Sequence, residues 1–331
     1  MSPNPSCSIP SFSNSKGFGE LPQVPEPPLL IKDLGPFFHE NEGVGLAVLG
    51  DPISHSISPQ LHNAALKELS AKDKAFKGWR YDKIEVSASQ LGDALPSLAE
   101  LGYRGINLTI PHKVEVLPLL KSVDEEALAM GAVNTLVWDD NGWSGRNTDG
   151  YGLEEGVHQD LGVRLQDSSI LILGAGGAAR AATAQCLLRG CEKVWLGNRS
   201  LDRLAGLTDA LGNLFESHRI RTFSLSDLPP EIKSLKDLLV INATSLGLRQ
   251  KDPSPVDLSG LSSSTRVYDM IYNPPETALL KDARHRGMRS ANGLSMLVHQ
   301  AARSLEIWTG ETVSSSAMFK GAREAMAHPD E

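Results

Sequence analysis

The residues of this chain that could do chemistry gather in short polar clusters, four of them between Gly50 and Gly150. The first, Ser54-His55-Ser56-Ile57-Ser58-Pro59, sets two hydroxyls, Ser56 and Ser58, beside the start of a helix. Free amides and positive potential at a helix N-terminus, joined by two hydroxyl donors, make a carboxylate receptor that needs no cationic side chain. Ser58 also reads as the N-cap of that helix, with Pro59 at its first position and Leu61, Ala65, Leu66 and Leu69 facing inward. Capping accounts for Ser58 and leaves Ser56 unexplained. In the second cluster, Gly105 to Lys113, strand alternation puts Asn107 and Thr109 on one face, and Lys113 follows at a turn. The third, Gly131-Ala132-Val133-Asn134-Thr135, adds Asn134, and the fourth, Gly145-Arg146-Asn147-Thr148-Asp149-Gly150, adds Asp149. Taken singly, each such residue is as well explained as a turn former. Together they make a cleft rich in donors and acceptors.

A different chemistry lies further on. Ser169-Ile170-Leu171-Ile172-Leu173 is a buried-strand signature that runs straight into Gly174-Ala175-Gly176-Gly177-Ala178-Ala179-Arg180 and an alanine-rich helix. Strand, glycine turn and helix come in the order a pyrophosphate site needs, because glycines let the backbone approach phosphates and the helix N-terminus supplies donors. Ala179 stands where the G-x-G-x-x-G pattern has its third glycine. The next strand ends in Gly197-Asn198-Arg199-Ser200, where an NAD site would place an acidic residue for the ribose 2′-hydroxyl. Arg199 and then Arg203 occupy that strand end. Two guanidinium groups suit a 2′-phosphate; two solvated arginines opening a surface helix would read the same way.

Strands must end beside these clusters if the clusters are to act together. Apolar runs at Leu46–Leu49, Tyr81–Val86, Gly105–Ile110 and Ala132–Val137 predict strands, and Pro59–Leu69 and Ser89–Leu101 predict helices between them. A second series predicts strands at Ser169–Leu173, Lys193–Leu196, Arg219–Phe223, Leu238–Asn242 and Arg266–Asp269, with helical segments between, which is the pattern of a doubly wound sheet. Residues 1–43, rich in Ser and Pro, predict a mostly disordered tail in which Leu29 to Leu34 is the segment able to dock on the body.

Composition narrows the function. Over 331 residues, 32 Lys and Arg face 40 Asp and Glu, a formal charge of -8 that argues against a nucleic-acid surface and leaves any anionic substrate to local donors. The three cysteines, Cys7, Cys186 and Cys191, form no metal-ligand pattern and no disulfide framework, which fits a reducing cytoplasm. No apolar run approaches the length of a membrane helix, and no signal-like N-terminus is present, so membrane anchoring and secretion are not expected.

The ordered motifs resemble those of the shikimate dehydrogenase family from about Gly45 to the C-terminus. The resemblance rests on Ser54-His55-Ser56-Ile57-Ser58-Pro59, Asn107-Leu108-Thr109-Ile110-Pro111-His112-Lys113, Gly131 to Thr135, Asn147-Thr148-Asp149-Gly150, Gly174 to Ala178 and Asn198-Arg199-Ser200. Asn242-Ala243-Thr244-Ser245, Tyr268-Asp269-Met270-Ile271-Tyr272 and Met296-Leu297-Val298-His299-Gln300 extend it. It implies a reversible, NADPH-dependent reduction of 3-dehydroshikimate to shikimate, on the route to chorismate and the aromatic amino acids. Ser56, Ser58 and Tyr272 would bind the carboxylate, Asn107, Thr109, Asn134 and Gln300 the hydroxyls, and Lys113 and Asp149 would form the catalytic pair. NADP would lie on Gly174, Ala175, Gly176, Gly177 and Ala178, on Asn198, Arg199, Ser200 and Arg203, and on Thr244, Ser245 and Gly293. The implied fold is α/β with two domains: a substrate-binding domain of residues 44–148 and 293–331, its C-terminal helices returning to it, and a Rossmann-type NADP domain of residues 149–292. A homodimer is the assembly to be looked for. Ser295, where many relatives have glycine, and Ala278, where a proline is common, are expected near cofactor and substrate. Two other readings compete. An NAD-linked quinate/shikimate dehydrogenase is opposed by Arg199 and Arg203, and a catalytically idle NADP-binding regulator is opposed by the intact Lys113 and Asp149.

Overall fold

The computed structural model describes residues 28–34, 43–139, 141–212 and 215–327. The rest of the expected N-terminal tail lies outside the described residues. The first half builds a seven-stranded sheet from β1 (Leu29–Leu30), β2 (Gly45–Gly50), β3 (Arg80–Glu85), β4 (Tyr103–Leu108), β5 (Ser122–Val123), β6 (Thr135–Asp139) and β7 (Gly142–Arg146), in the order β1-β3-β2-β4-β6-β7-β5. Strands β1 to β4 run parallel, and β6 is antiparallel to both β4 and β7. Its helices are α1 (Ser58–Lys72), α2 (Leu91–Glu100), α3 (His112–Glu115) and α4 (Glu125–Met130). Every residue of β2 is buried, as an unbroken apolar run in a parallel sheet demands, because helices cover both faces. Ala47 and Leu49 pack toward Leu91, Leu95 and Leu98 of α2, whereas Leu46 and Val48 pack toward Leu61 and Leu66 of α1.

Helix α5 (Asp149–Leu161) leads into a second sheet, which is wholly parallel: β8 (Ser169–Leu173), β9 (Val194–Asn198), β10 (Ile220–Ser224), β11 (Leu238–Asn242), β12 (Arg266–Asp269) and β13 (Arg289–Asn292), in the order β10-β9-β8-β11-β12-β13. The order reverses beside β8, so the crevice above its C-terminal end is where a doubly wound sheet takes its ligand. Helices α6 (Gly177–Leu188) and α7 (Leu201–Gly212) join α5 on one face, α8 (Pro230–Lys233) and α9 (Ala278–His285) on the other.

The chain then returns. Helix α10 (Leu294–Thr309) lies along α5 while α11 (Ser315–Ala327) packs on α1, and Val298, Ala301 and Leu305 of α10 enter the core beside Leu46 and Val48. Close approach of α5 and α10 depends on Gly152, where a Cβ would stand 2.6 Å from the Met296 carbonyl oxygen. This packing carries Gln300 from the far end of the sequence to the first sheet.

Several expectations shift. The strand expected at Gly105–Ile110 spans Tyr103–Leu108, and the one expected at Ala132–Val137 begins at Thr135, since Asn134 turns its side chain to its neighbours before pairing starts. Strands β5, β7 and β13 were not expected: β7 carries Gly142, Ser144 and Gly145, which hide its pattern, and β13 has one hydrophobic residue, Ala291. Helix α1 begins at Ser58 with Ile57 as its N-cap and no side-chain cap, so Ser58 is the first helical residue and not the cap. The docking segment is real, since Leu29 and Leu30 pair with Ile84 and Glu85.

Candidate active site

The C-terminal ends of β2 and β4 open into a cavity of about 360 Å³ whose opposite wall comes from Met270, Tyr272 and Gly293 beside the second sheet and from Met296, Leu297 and Gln300 of α10. Ser56, Ser58, Asn107, Thr109, Lys113, Asn134 and Asp149 all line it. Every residue expected to touch the substrate, from Ser56 to Gln300, is thereby brought to one place.

Lys113 Nζ donates to Asp149 Oδ2 at 2.6 Å, and Asn134 Nδ2 donates to Asp149 Oδ1 at 2.9 Å. Asp149 is the first residue of α5, where the helix macrodipole favours a carboxylate, and its own N–H donates to Asn147 Oδ1 at 2.9 Å. Lys113 rides on the short helix α3, fixed beneath by a hydrogen bond from the Val133 N–H to the Lys113 carbonyl and by buried His112, which bonds the Val86 carbonyl oxygen at 2.7 Å. The two side chains are 31% and 16% exposed, so the ammonium faces the cavity while its partner is held from behind.

A buried polar layer supports this pair. Asn107 accepts from the Tyr81 hydroxyl at 2.8 Å and donates toward Thr135 and Ser304. Asn134 Oδ1 accepts from the Thr148 N–H at 2.8 Å, and Gln300 Oε1 lies 3.4 Å from Asn134 Nδ2. The Asn107 amide hydrogens are therefore engaged inside the protein, and what remains for a ligand is the second lone pair of Oδ1. Tyr81 and Ser304 escaped the sequence reading. Ser304 carried a signal, standing one helical turn after Gln300 on the same face of α10; Tyr81 looked like an ordinary strand aromatic.

At the other end, the Ser56 hydroxyl donates to Ser58 Oγ at 3.2 Å and accepts from the Ser58 N–H at 3.4 Å. The two hydroxyls thus stand side by side at the α1 N-terminus. Burial pushes the Tyr272 phenol above its ordinary range, which keeps it a neutral donor at physiological pH.

Across the cleft, Gly174 leaves β8 with φ of 120°, and a Cβ there would meet the Ala243 carbonyl oxygen at 3.0 Å. Gly176 is the N-cap of α6. Gly177 opens the helix, and nothing lies within 4 Å of where a Cβ on either glycine would stand. Together with exposed Ala178 this makes an accessible backbone cradle at a helix N-terminus, flanked by Ala175 and Thr244, with Ser245 the next residue in the chain. Such a cradle fits a dinucleotide pyrophosphate. Asn198, whose Nδ2 donates to the Ser200 carbonyl oxygen at 3.0 Å, shapes the turn after β9, and Ser200 Oγ accepts from the Arg203 N–H at 3.3 Å. Arg199 and Arg203 are exposed, and among the described residues neither guanidinium has an ion-pair partner. Gly293 packs against the Met270 carbonyl so tightly that no side chain fits.

Ser295 and Ala278 stand outside the cavity lining, Ser295 directly before the lining residue Met296. Ser295 is buried against α5, donating to Asp160 at 2.9 Å and accepting from Gln159 at 3.3 Å, and Ala278 is the first residue of α9 after its Thr277 cap. For Ser295 the packing of α10 on α5, which a single position in a sequence does not reveal, engages the hydroxyl with Asp160.

A nucleotide-type sheet facing a polar cavity with a Lys–Asp pair defines the class as a two-domain, dinucleotide-dependent dehydrogenase. Residues 48–136 match the family model of the shikimate dehydrogenase substrate binding domain, and residues 293–318 that of the shikimate 5′-dehydrogenase C-terminal domain. The shikimate dehydrogenase (NADP(+)) of Geobacter metallireducens is 40% identical over 268 residues, 80% of this chain and 91% of that one. The chain belongs to the shikimate dehydrogenase family. Its fold also matches the shikimate 5-dehydrogenase of Thermus thermophilus, solved with NADP(H) and shikimate, with TM-score 0.73 and 32% identity over 85% of this chain and 99% of that chain. The quinate dehydrogenase of Corynebacterium glutamicum, solved with NAD, matches with TM-score 0.76 and 28% identity over 85% and 99%.

Proposed function

We propose that the chain is an NADP-dependent shikimate dehydrogenase, acting on the CH–OH group of shikimate in the reversible reduction of 3-dehydroshikimate. The observation that carries this reading is the Lys113–Asp149–Asn134 cluster in the wall of a cavity that Met270, Tyr272 and Gly293, beside the second sheet, close on the other side. NADP supplies or accepts the hydride when bound on Gly174 to Ala178, with Asn198, Arg199, Ser200 and Arg203 toward the 2′-phosphate and Thr244, Ser245 and Gly293 along its path. The substrate-binding unit is residues 44–148 with 293–331, and the NADP unit is 149–292.

In that reading Ser56 and Ser58, joined by Tyr272, hold the carboxylate, and Asn107, Thr109, Asn134 and Gln300 hold the ring hydroxyls. Lys113 Nζ donates a hydrogen bond to the C3 oxygen as negative charge gathers there, and gives it a proton. Asp149 orients the ammonium and accepts from a neighbouring hydroxyl. The hydrogen bond between the two groups keeps the ammonium aimed at the C3 oxygen while the proton is delivered. Asn134 fixes the second carboxylate oxygen, so Asp149 cannot swing away when Lys113 turns to the substrate.

The quinate reading shares this fold, but Arg199 and Arg203, which have no ion-pair partner among the described residues, favour NADP over NAD. Measuring turnover of the purified protein with shikimate or quinate and with NADP or NAD separates the alternatives. Turnover fastest with quinate and NAD overturns the proposal, and absence of all turnover favours the regulator. A cytoplasmic location, consistent with free, buried Cys186 and Cys191, belongs to the same proposal, as does a homodimer, which light scattering reads. No helix among the described residues is long and apolar enough to cross a membrane.

A further inference from the structure

Lys83 lies in the middle of β3 and is only 8% exposed. Its register neighbour on β2 is Val48, whose neighbour on β4 is Asn107, so the three residues form one row across the sheet. Directly paired residues point to the same face. Val48 and Asn107 line the cavity, and Tyr81, two residues before Lys83, sends its hydroxyl to Asn107 on that same face. The Lys83 side chain therefore rises beside the cavity. Its Nζ donates to the Ser54 carbonyl oxygen at 2.8 Å, in the loop that presents Ser56 and Ser58.

An ammonium has three donors; among the described residues this one has a single protein acceptor and no carboxylate pairs with it. A buried cation without a counter-ion is costly, and burial accordingly pushes the Lys83 ammonium below its ordinary range. Nothing in the fold of the first sheet needs a charge at this place, since the flanking Val48 and Ile84 are apolar and buried. The serine hydroxyls, for their part, hold no charge to set against an anion.

We propose that Lys83 is a positioning residue of the carboxylate seat: it holds the Ser54–Ser58 loop from below and supplies the positive potential for which a bound carboxylate is the counter-ion. The inference rests on the reading that Ser56 and Ser58 bind the substrate carboxylate. It identifies the source of charge selectivity in a seat whose direct contacts are neutral, and it makes an anionic group at that end of the ligand a requirement.

Lys83→Gln separates charge from anchoring, because the amide can still donate to the Ser54 carbonyl; Lys83→Met removes both and Lys83→Arg keeps both. Each variant is assayed as oxidation of shikimate and of shikimate methyl ester with NADP, with Tm recorded. Lys83→Gln should raise KM for shikimate about tenfold with kcat within about twofold, and KM for the ester should barely move. Lys83→Met, which also drops the anchor to Ser54, should raise KM for shikimate further, and Lys83→Arg should retain most of the preference for the acid. Unchanged KM for shikimate in Lys83→Gln overturns the proposal, as does an equal rise for acid and ester, which would mean a collapsed loop. Wild-type behaviour of Lys83→Gln beside a damaged Lys83→Met would reduce the role to anchoring and also overturn it. If Lys83→Met does not fold, the Gln variant decides. Ser56→Ala run on the same two substrates tests the underlying reading by itself: equal weakening of acid and ester there places the carboxylate elsewhere, whatever Lys83 does.

Discussion

The two walls of the cleft are built on opposite principles. On the substrate side, Lys113, Asp149, Asn134, Asn107, Thr148 and Gln300 are tied to one another and to Tyr81, Thr135 and Ser304 before any ligand arrives. On the nucleotide side the prepared elements are backbone, in the open cradle at Gly176 and Gly177, while Arg199 and Arg203 stand in solvent with no ion-pair partner among the described residues. A wall of interlocked side chains loses little conformational entropy on binding and holds geometry for a chemical step. A wall of glycine amides and free cations suits a large, multiply charged ligand that brings its own shape. Charge chemistry is therefore expected to be sensitive to single atoms on one side, and binding to be spread over several modest contacts on the other.

The sharpest break of that contrast is Lys113→Ala. It should lower kcat about a hundredfold or more with KM changed little, because the ammonium matters most as charge develops on the C3 oxygen. Near-normal kcat would show that the interlocked wall is scaffolding and the chemistry lies elsewhere. Ser56→Ala comes next: one charge-assisted hydrogen bond is worth about 1.5–3 kcal/mol, so KM for shikimate should rise roughly tenfold to a hundredfold with kcat preserved. A kcat effect as large as the KM effect would mean that the seat also aligns the reacting carbon.

The double variant Arg199→Ala, Arg203→Ala tests the open wall. Exposed cations are screened, so the loss of NADP affinity should be about tenfold, smaller at high salt, with NAD affinity nearly constant. Equal weakening of both cofactors would show these arginines serving the adenine or the fold. The smallest effect belongs to Ser295→Gly. Loss of the hydrogen bond to half-buried Asp160 and the glycine near the helix start should cost about 1–2 kcal/mol of stability, read as a fall in Tm, with kcat/KM within about twofold. A large activity change without a Tm change would return this position to the site.

Much of the molecule was legible without coordinates. The strands Ser169–Leu173, Leu238–Asn242 and Arg266–Asp269 have their expected bounds: the first two because buried parallel strands are written as near-continuous apolar runs, the third because its buried Val267 and Tyr268 are bounded by the charged Arg266 and Asp269. The glycine turn after β8 was equally plain, since only glycine takes the φ that Gly174 needs. Where burial is one-sided or absent the signal failed: β5, β7 and β13 are short or poor in apolar residues, and the start of α1 was misplaced by one residue because Ser56, not Ser58, faces the free helix amide.

The sequence by itself determined which chemical groups are available and which local turns present them: hydroxyls before a helix, an amide and a lysine at a strand end, an aspartate opening a helix, glycines after a buried strand. These are short-range matters of φ, ψ and hydrogen bonding, decided within a few residues. Only the tertiary structure decided who meets whom. Gln300 reaches Asn134 because Gly152 lets α10 lie against α5, Ser295 turns from the cavity to Asp160 for the same reason, and the register of β3 on β2 puts a buried lysine behind the serine loop. Such pairings join positions far apart in the chain through packing of whole faces, and no local pattern encodes which face will be buried against which.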